Sequence, residues 1–261
     1  MQKTYYPAHP LPIAQRALRK VPNVTITFWI VKLLTTAMGE STSDYLVYHI
    51  DPYFAVALGA IGLLVALNLQ FFVQRYIPWI YWFTVVMVAI FGTMAADVLH
   101  VVIGISYLVS VTLFSTALAI IFVAWYAVEK TLSIHSIYTV RREAFYWATV
   151  MATFALGTAA GDLTAATLKL GYLASGVLFA CLFALPLLAR RLFGVNEVFA
   201  FWFAYIMTRP LGASFADWFG KPFLGGLGLG DTNVSLVLTI LILGMVGYLT
   251  FAKSDSKAEQ S

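Results

Sequence analysis

Acidic residues recur at a fixed distance from tryptophan in an otherwise apolar chain. Four tryptophans are each followed by a glycine ten residues later and by an aspartate fifteen residues later. The aspartates are Asp44, Asp97, Asp162 and Asp217. Carboxylate oxygens bind hard cations such as Mg²⁺, Ca²⁺ or Mn²⁺, and intramembrane carboxylates also carry protons. The four aspartates are therefore candidates for a cation site or a proton pathway, or alternatively for structural caps of a helix break that follows the glycine, with the metal and any cofactor left open.

The tryptophan and glycine of this motif have an ordinary structural explanation. Tryptophan near the start of a membrane span anchors it at the interface, and glycine lets two helices approach closely. The tryptophan and the glycine are therefore predicted to serve mainly in helix packing in each repeat. The tryptophans are Trp29, Trp82, Trp147 and Trp202, and the glycines are Gly39, Gly92, Gly157 and Gly212.

A polar row follows one face of the first apolar segment. Lys32, Thr36, Glu40 and Asp44 are spaced four residues apart, which places them on one face of a continuous helix. Arg209 occupies in the fourth repeat the position that Thr36 has in the first. Lys32 and Arg209 are therefore the predicted counter-charges of the acidic residues. The second and third repeats are uncharged at the equivalent positions, which hold Val85, Ala89, Thr93, Val150, Phe154 and Thr158.

Two interpretations of these charges remain open. In the first, Glu40 and the four aspartates form buried ion pairs with Lys32 and Arg209 that fix the helix register. In the second, the carboxylates line an anionic cavity in which a cation or protons complete the charge balance. Both predict that the first and seventh segments turn their charges to a common interior. Lys32 or Arg209 should then lie within salt-bridge distance of a carboxylate.

The elements that carry these residues are membrane-spanning helices by composition. Of 261 residues, 61% are apolar and 11% charged, against about 45–50% and 25% in soluble domains. The apolar residues form eight runs long enough to span a bilayer, and helices satisfy their own backbone hydrogen bonds in lipid. The runs cover approximately residues 24–43, 53–73, 78–97, 99–127, 145–165, 170–189, 197–217 and 232–252.

The distribution of basic residues predicts the orientation in the membrane. Twelve of the 16 Lys and Arg residues fall on one side of the eight predicted spans. Cytoplasmic loops of membrane proteins carry such an excess. Both termini are therefore predicted to be cytoplasmic, in a bacterial-type inner membrane. The net charge of +4 does not predict a nucleic-acid partner, because most basic residues flank the spans.

The fold predicted from these patterns is an all-α membrane protein with eight transmembrane helices. Each repeat holds two spans, so successive repeats enter the membrane in the same direction. Such parallel repeats form a pseudo-fourfold or nested twofold bundle. The repeats cover about residues 24–76, 77–130, 143–191 and 197–252, within one membrane domain of residues 24–252. Residues 1–23 and 253–261 are predicted cytoplasmic segments.

The repeat also resembles a known family. The tryptophan is preceded by phenylalanine or tyrosine and followed by the glycine and the aspartate in all four copies. This pattern is similar to that of bacterial integral membrane proteins made of four tandem repeats of unknown function. Each repeat of that family has two transmembrane spans and a characteristic tryptophan. The resemblance covers about residues 24–252 and implies the organisation of the fold, but no activity.

The leading functional hypothesis is a transporter or channel for a small solute, with a cation favoured. The intramembrane carboxylates would line the path, and a small cation or a proton would be the partner besides the lipid bilayer. The alternative is a non-transporting sensor or scaffold with structural ion pairs, whose loop from Glu129 to Glu143 contacts a partner. An enzyme is not predicted, because the sequence has no nucleophile–base pair, phosphate-binding loop or zinc motif.

Overall fold

The computed structural model describes residues 19–258, and this part of the chain is helical without β-strands. Residues 1–18 and 259–261, which belong to the predicted cytoplasmic segments, lie outside the described residues. The last helix continues past residue 252, since no glycine or proline follows to end it. The long helices are α1 Ile26–His49, α2 Pro52–Phe72, α3 Pro78–Asp97, α4 Tyr107–Glu129, α5 Val140–Asp162, α6 Gly171–Phe193, α7 Glu197–Gly220 and α8 Asp231–Ala258.

Side-chain caps and prolines set where several helices begin. The Thr25 hydroxyl accepts a hydrogen bond from the backbone N–H of Phe28 at 3.2 Å, which satisfies a free donor of α1. Asp51 caps α2 in the same way, and Pro52 follows because its fixed φ suits the first helical turn. The corresponding caps of α4, α5 and α7 are Ser106, Thr139 and Asn196.

Within residues 19–258, five helices are long and apolar enough to cross a membrane, namely α2, α3 with the turn that follows it, α4, α6 and α8. Their outward surfaces carry many exposed leucine, isoleucine and valine side chains, as expected of surfaces that contact lipid. α1, α5 and α7 are 24, 23 and 24 residues long and contain most of the buried charged residues.

One predicted segment boundary is wrong. The apolar run at 99–127 was expected to form one span, but Val98–Val102 form a π-helical turn that continues α3. α4 starts only at Tyr107, because the Ser106 hydroxyl caps it. A second π-helical turn, Leu163–Thr167, continues α5 in the same way. Hydropathy alone could not locate the boundary between α3 and α4, since the residues on both sides of it are apolar.

α1, α3, α5 and α7 form a closed inner ring, in which each helix packs against the next and α7 packs against α1. The motif glycines lie at these contacts, where a side chain would collide with the neighbouring helix. Glycine is therefore needed for the close approach. All four contacts join the same two positions of the motif, the glycine of one repeat and the residue seven after the tryptophan of the next. The contacts pair Gly39 with Ala89, Gly92 with Phe154, Gly157 with Arg209, and Gly212 with Thr36.

The remaining four helices form an outer layer. Each packs mainly against the inner helix of the following repeat: α2 against α3, α4 against α5 and α6 against α7. α8 of the last repeat packs in the same way against α1 of the first, so this pattern of packing continues around the whole ring. Inner helices are thereby covered on the side that faces away from the ring.

Aromatic residues fill the ring at the end where its helices begin. Trp82, Trp147 and Trp202 are buried there, and Trp29 is half-buried. Residues that precede the tryptophans contact one another between neighbouring helices of the ring, with Phe28 and Phe201 centroids 6.3 Å apart. Nearby loops add to this layer, since Ile134 and Ile137 are also buried. This end of the ring is therefore densely packed. The aromatic residues before the tryptophans are Phe28, Tyr81, Tyr146 and Phe201.

Candidate functional site

The polar row predicted on the first helix faces the interior of the inner ring. The matching residues of α3, α5 and α7 lie beside it, so successive turns of the four helices form layers. Three layers between the aromatic end and the aspartates are fully or almost fully buried. From the aromatic end outward they consist of Lys32, Val85, Val150 and Tyr205, then Thr36, Ala89, Phe154 and Arg209, then Glu40, Thr93, Thr158 and Ala213.

Arg209 connects all four helices of the ring. Its Nη2 donates to the Glu40 carboxylate of α1 at 2.6 Å and to the Thr158 hydroxyl of α5 at 2.8 Å. It also donates to the Thr93 hydroxyl of α3. Arg209 is fully buried, and its Nε and Nη1 have no hydrogen-bond partner among the described residues. The expected ion pair between the first and seventh helices is therefore present, between Arg209 and Glu40.

Two motif aspartates lie next to Glu40 at the far end of the ring. Glu40, Asp44 and Asp217 each place a carboxylate oxygen within 4.8 Å of the others. Like charges at such separations repel one another unless a cation or proton lies among them. Three carboxylates from α1 and α7 thus offer the oxygen ligands that a hard cation prefers.

Lys221, which directly follows α7, bridges two of these aspartates. Its Nζ lies 2.9 Å from Asp44 Oδ2 and 2.8 Å from Asp217 Oδ1. Burial lowers the pKa of Lys221, but the charges of Asp217 and Asp44 outweigh this effect, and the pKa lies well above its usual value. Lys221 therefore stays positively charged between the carboxylates of Asp44 and Asp217.

Asp97 and Asp162 complete the group of carboxylates. Asp97 interacts electrostatically with Glu40, Asp44 and Asp162, and Asp162 interacts with Glu40 and Asp44. Both are half-buried, and neither forms an ion pair with a described side chain. Each is the last α-helical residue before a π-helical turn, an irregularity often found at functional sites. We call Glu40, Asp44, Asp97, Asp162 and Asp217 the acidic cluster.

Lys32 is separated from the acidic cluster. Its side chain is fully buried, and its Nζ has no hydrogen-bond partner among the described residues. The ammonium lies 4.0 Å from the ring centroid of Phe154 and 4.4 Å from that of Tyr205. Arg209 is close enough to act on it as a like charge. The counter-charge role predicted for Lys32 is therefore not seen as an ion pair, because Arg209 lies between it and Glu40.

Some charged residues at the site had not been expected there. Lys221 follows Asp217 by four residues, a spacing that favours ion pairs and was a usable signal. Asp231, at the start of α8, interacts electrostatically with Asp44 and Lys221. It brings a further carboxylate to the rim of the acidic cluster from a helix that carries no copy of the motif.

A second buried ion pair lies at the opposite, aromatic end of the ring. Lys20 Nζ lies 2.6 Å from Glu143 Oε2, and both side chains are almost fully buried. Lys20 also donates to the Phe71 carbonyl at 3.2 Å, and the Gln70 amide donates to Glu143 at 2.8 Å. This network joins the segment before α1 to α2 and α5. Its members are far apart in sequence, so no local pattern predicted it.

The loop proposed as a partner-binding surface packs against the protein itself. Ile134 and Ile137 are buried, and the Trp202 indole N–H donates to the Leu132 carbonyl at 2.8 Å. Glu129 is held by Arg141 and by Arg142, the latter at 2.6 Å. Much of the loop between α4 and α5 is therefore part of the closed end of the ring.

These features define a multi-pass helical membrane protein with a network of buried charged residues inside the bundle. Four segments, residues 27–76, 80–131, 145–194 and 200–255, match the family model described as Repeat of Unknown Function (DUF347). The chain therefore belongs to this family of four-repeat proteins, which confirms the resemblance. No curated protein and no solved structure matches the chain.

Proposed function

We propose that this protein is an eight-span transporter of a small cation in a bacterial-type inner membrane, with both termini cytoplasmic. The geometry of the ring supports the span count. α1 and α5 pack against α3, which is apolar enough to cross a membrane, and α7 packs against α1 and α5. A helix of 23 residues is about 35 Å long, enough to cross a hydrocarbon core of about 30 Å. α1, α5 and α7 are less hydrophobic than the other helices because they contain charged residues that face the ring interior.

Reporter fusions test the proposed topology. Fusions placed after Arg75, Arg141 and Arg190 should all report a cytoplasmic location, because these residues lie at the basic ends of the helices. A fusion in the glycine-rich loop at Gly226 should report the opposite side. A non-cytoplasmic signal from any of the first three would contradict eight spans with this orientation.

The acidic cluster carries the proposal of cation transport. It places five carboxylates against only two nearby basic groups, Arg209 and Lys221, in the described part of the chain. Ionised carboxylates within a membrane need a counter-ion, water or a proton. Asp97 and Asp162 have no ion-pair partner among the described residues and retain some exposure. A hard cation bound at the acidic cluster would supply the missing positive charge.

The filled interior of the ring supports a carrier and not an open pore. Beyond the acidic cluster, Arg209 occupies the middle of the ring, and buried Phe154 and Tyr205 follow. A cation on this axis has no continuous water-filled route. Movement of the helices relative to one another would therefore be needed to open the cluster to each side in turn.

Cation uptake into proteoliposomes tests the proposed function. Uptake of Na⁺, K⁺, Mg²⁺, Ca²⁺ and Mn²⁺ is measured separately for the parent and for Asp44→Asn and Asp217→Asn. Loss of a carboxylate ligand should reduce uptake of the transported ion about 10–100-fold, the range seen even for residues that only orient metal ligands. Asp51→Asn is the matched control, because Asp51 is exposed and asparagine can also cap α2.

The same experiment addresses the structural alternative, a non-transporting membrane scaffold. The hydrogen bonds of Arg209 to three other helices favour this alternative, because they would hold the ring together without any solute. It predicts that no cation enters with the parent protein, and that both aspartate variants lose thermal stability in detergent. Unchanged stability together with abolished uptake would contradict it.

A further inference from the structure

Lys32 is a buried amine without a counter-ion. It lies one helical turn from the Arg209 layer, towards the aromatic end of the ring, and has no exposed surface. Its Nζ contacts the rings of Phe154 and Tyr205 and has no hydrogen-bond partner among the described residues. Burying an isolated ammonium in an apolar interior is costly, whereas the neutral amine loses far less on leaving water. Such a lysine can exchange a proton readily.

The charges that face Lys32 are few. Arg209 of α7 is the charged group that acts on it within the described residues. The titratable groups on this side of the ring also include the buried hydroxyls of Tyr205 on α7, Tyr146 on α5 and Tyr81 on α3, and the Lys20–Glu143 ion pair at the aromatic end. Besides burial itself, the charge of Arg209 and how well it is neutralised therefore decide whether Lys32 holds a proton.

Neutralisation of Arg209 depends in turn on the acidic cluster. Glu40 is the carboxylate that pairs with Arg209, and it is also one of the three carboxylates that converge for a cation. A cation that takes Glu40 as a ligand weakens this ion pair and leaves more positive charge beside Lys32. Glu40, Arg209 and Lys32 thus form an electrostatic relay between the cation site and the amine.

We propose that Lys32 carries a proton that is exchanged for the transported cation, so that the protein is a cation–proton antiporter. This proposal rests on the cation transport proposed above and names its coupling ion. When the cation binds Glu40, the guanidinium of Arg209 is released from it and repels the proton on Lys32. The proton leaves Nζ for water on the side from which the cation entered. When the cation leaves, Glu40 pairs with Arg209 again and Lys32 regains a proton.

The test measures proton movement and cation uptake in the same proteoliposomes. A pH-sensitive dye is trapped inside, and the cation that the parent transports is added outside. Entry of the cation should make the interior more alkaline, because protons leave in exchange. Lys32→Met should still take up the cation, but the pH change per cation should fall to the level of protein-free vesicles. Lys169→Met, which changes an exposed lysine, should keep the coupling of the parent.

Three further measurements distinguish a loss of coupling from misfolding. Thermal stability of Lys32→Met in detergent should equal or exceed that of the parent, because methionine replaces an unpaired buried amine with an apolar chain of similar length. Lys32→Arg should take up the cation much more slowly, because arginine cannot release its proton. The dependence of uptake on internal pH should disappear in Lys32→Met.

The outcomes separate this inference from the proposed function. If the parent takes up a cation without a pH change, cation transport stands and the role of Lys32 is wrong. If Lys32→Met retains the pH change per cation of the parent, the role of Lys32 is also wrong. If the parent takes up none of the five cations, both the transport function and its coupling are overturned.

Discussion

Replacing Arg209 with methionine should lower the free energy of unfolding in detergent by about 3–5 kcal/mol. Methionine fills part of the space of the arginine but offers no hydrogen-bond donor. Glu40 would then remain buried without its partner, and the hydroxyls of Thr93 and Thr158 would each lose a donor. Thermal and denaturant unfolding of the purified protein in detergent would measure the effect.

A second substitution distinguishes the loss of the ion pair from the loss of packing. In Arg209→Met/Glu40→Gln the buried negative charge is also removed, so most of the lost stability should return. Arg191→Met is the control, because Arg191 is exposed, and it should unfold like the parent. If Arg209→Met alone were as stable as the parent, water would reach Glu40 and the site would be wet.

Replacing Gly39 with alanine should destabilise the protein by about 1–3 kcal/mol, although alanine is the better helix former. A methyl group at Gly39 would collide with the Cβ of Ala89 and lie 2.9 Å from its backbone carbonyl carbon. Backbone atoms of a neighbouring helix cannot move aside as a flexible side chain can. The two helices must therefore separate, which also disturbs the layers inside the ring.

Gly161 provides the matched control for this prediction. It lies on α5, one turn beyond the motif glycine Gly157, and a methyl group there would meet its nearest neighbour only at 3.9 Å, an ordinary contact. Gly161→Ala should therefore be neutral or slightly stabilising in the same unfolding measurement. Equal destabilisation by the two substitutions would mean that the close contact at Gly39 is not what limits stability.

Much of the inner ring could be predicted from the sequence, because the spacing of residues along a helix determines which of them lie on the same side of it. Residues four apart on the first segment had to share a side, and the repeat assigned equivalent positions to the other segments. The pairing of the first and seventh helices followed from the two repeats that carry charge in this row. Arg209 and Glu40, 169 residues apart, form the ion pair that this reasoning required.

The partners of individual side chains were harder to predict. Lys32 and Arg209 were equivalent candidates, and only the layer in which each one lies shows that Arg209 reaches Glu40 while Lys32 meets aromatic rings. The ion pair between Lys20 and Glu143 could not be predicted from the sequence. Lys20 lies in the segment before α1, outside the repeats, and nothing in its local sequence indicates contact with α5. Which side chains far apart in sequence become partners depends on tertiary packing, and the spacing of residues within one segment does not predict it.

Closure of the inner ring also determines when the molecule can complete its fold during synthesis. In a linear repeat array each new unit docks on the unit before it, and a missing final unit leaves a shorter but folded protein. Here α1 belongs to the first repeat, yet two of its main neighbours, α7 and α8, belong to the fourth. Until the fourth repeat is made, Glu40 lacks Arg209 as its partner. The nascent chain must therefore shelter a charged helix in the membrane until that repeat is inserted, a step at which insertion machinery would matter most.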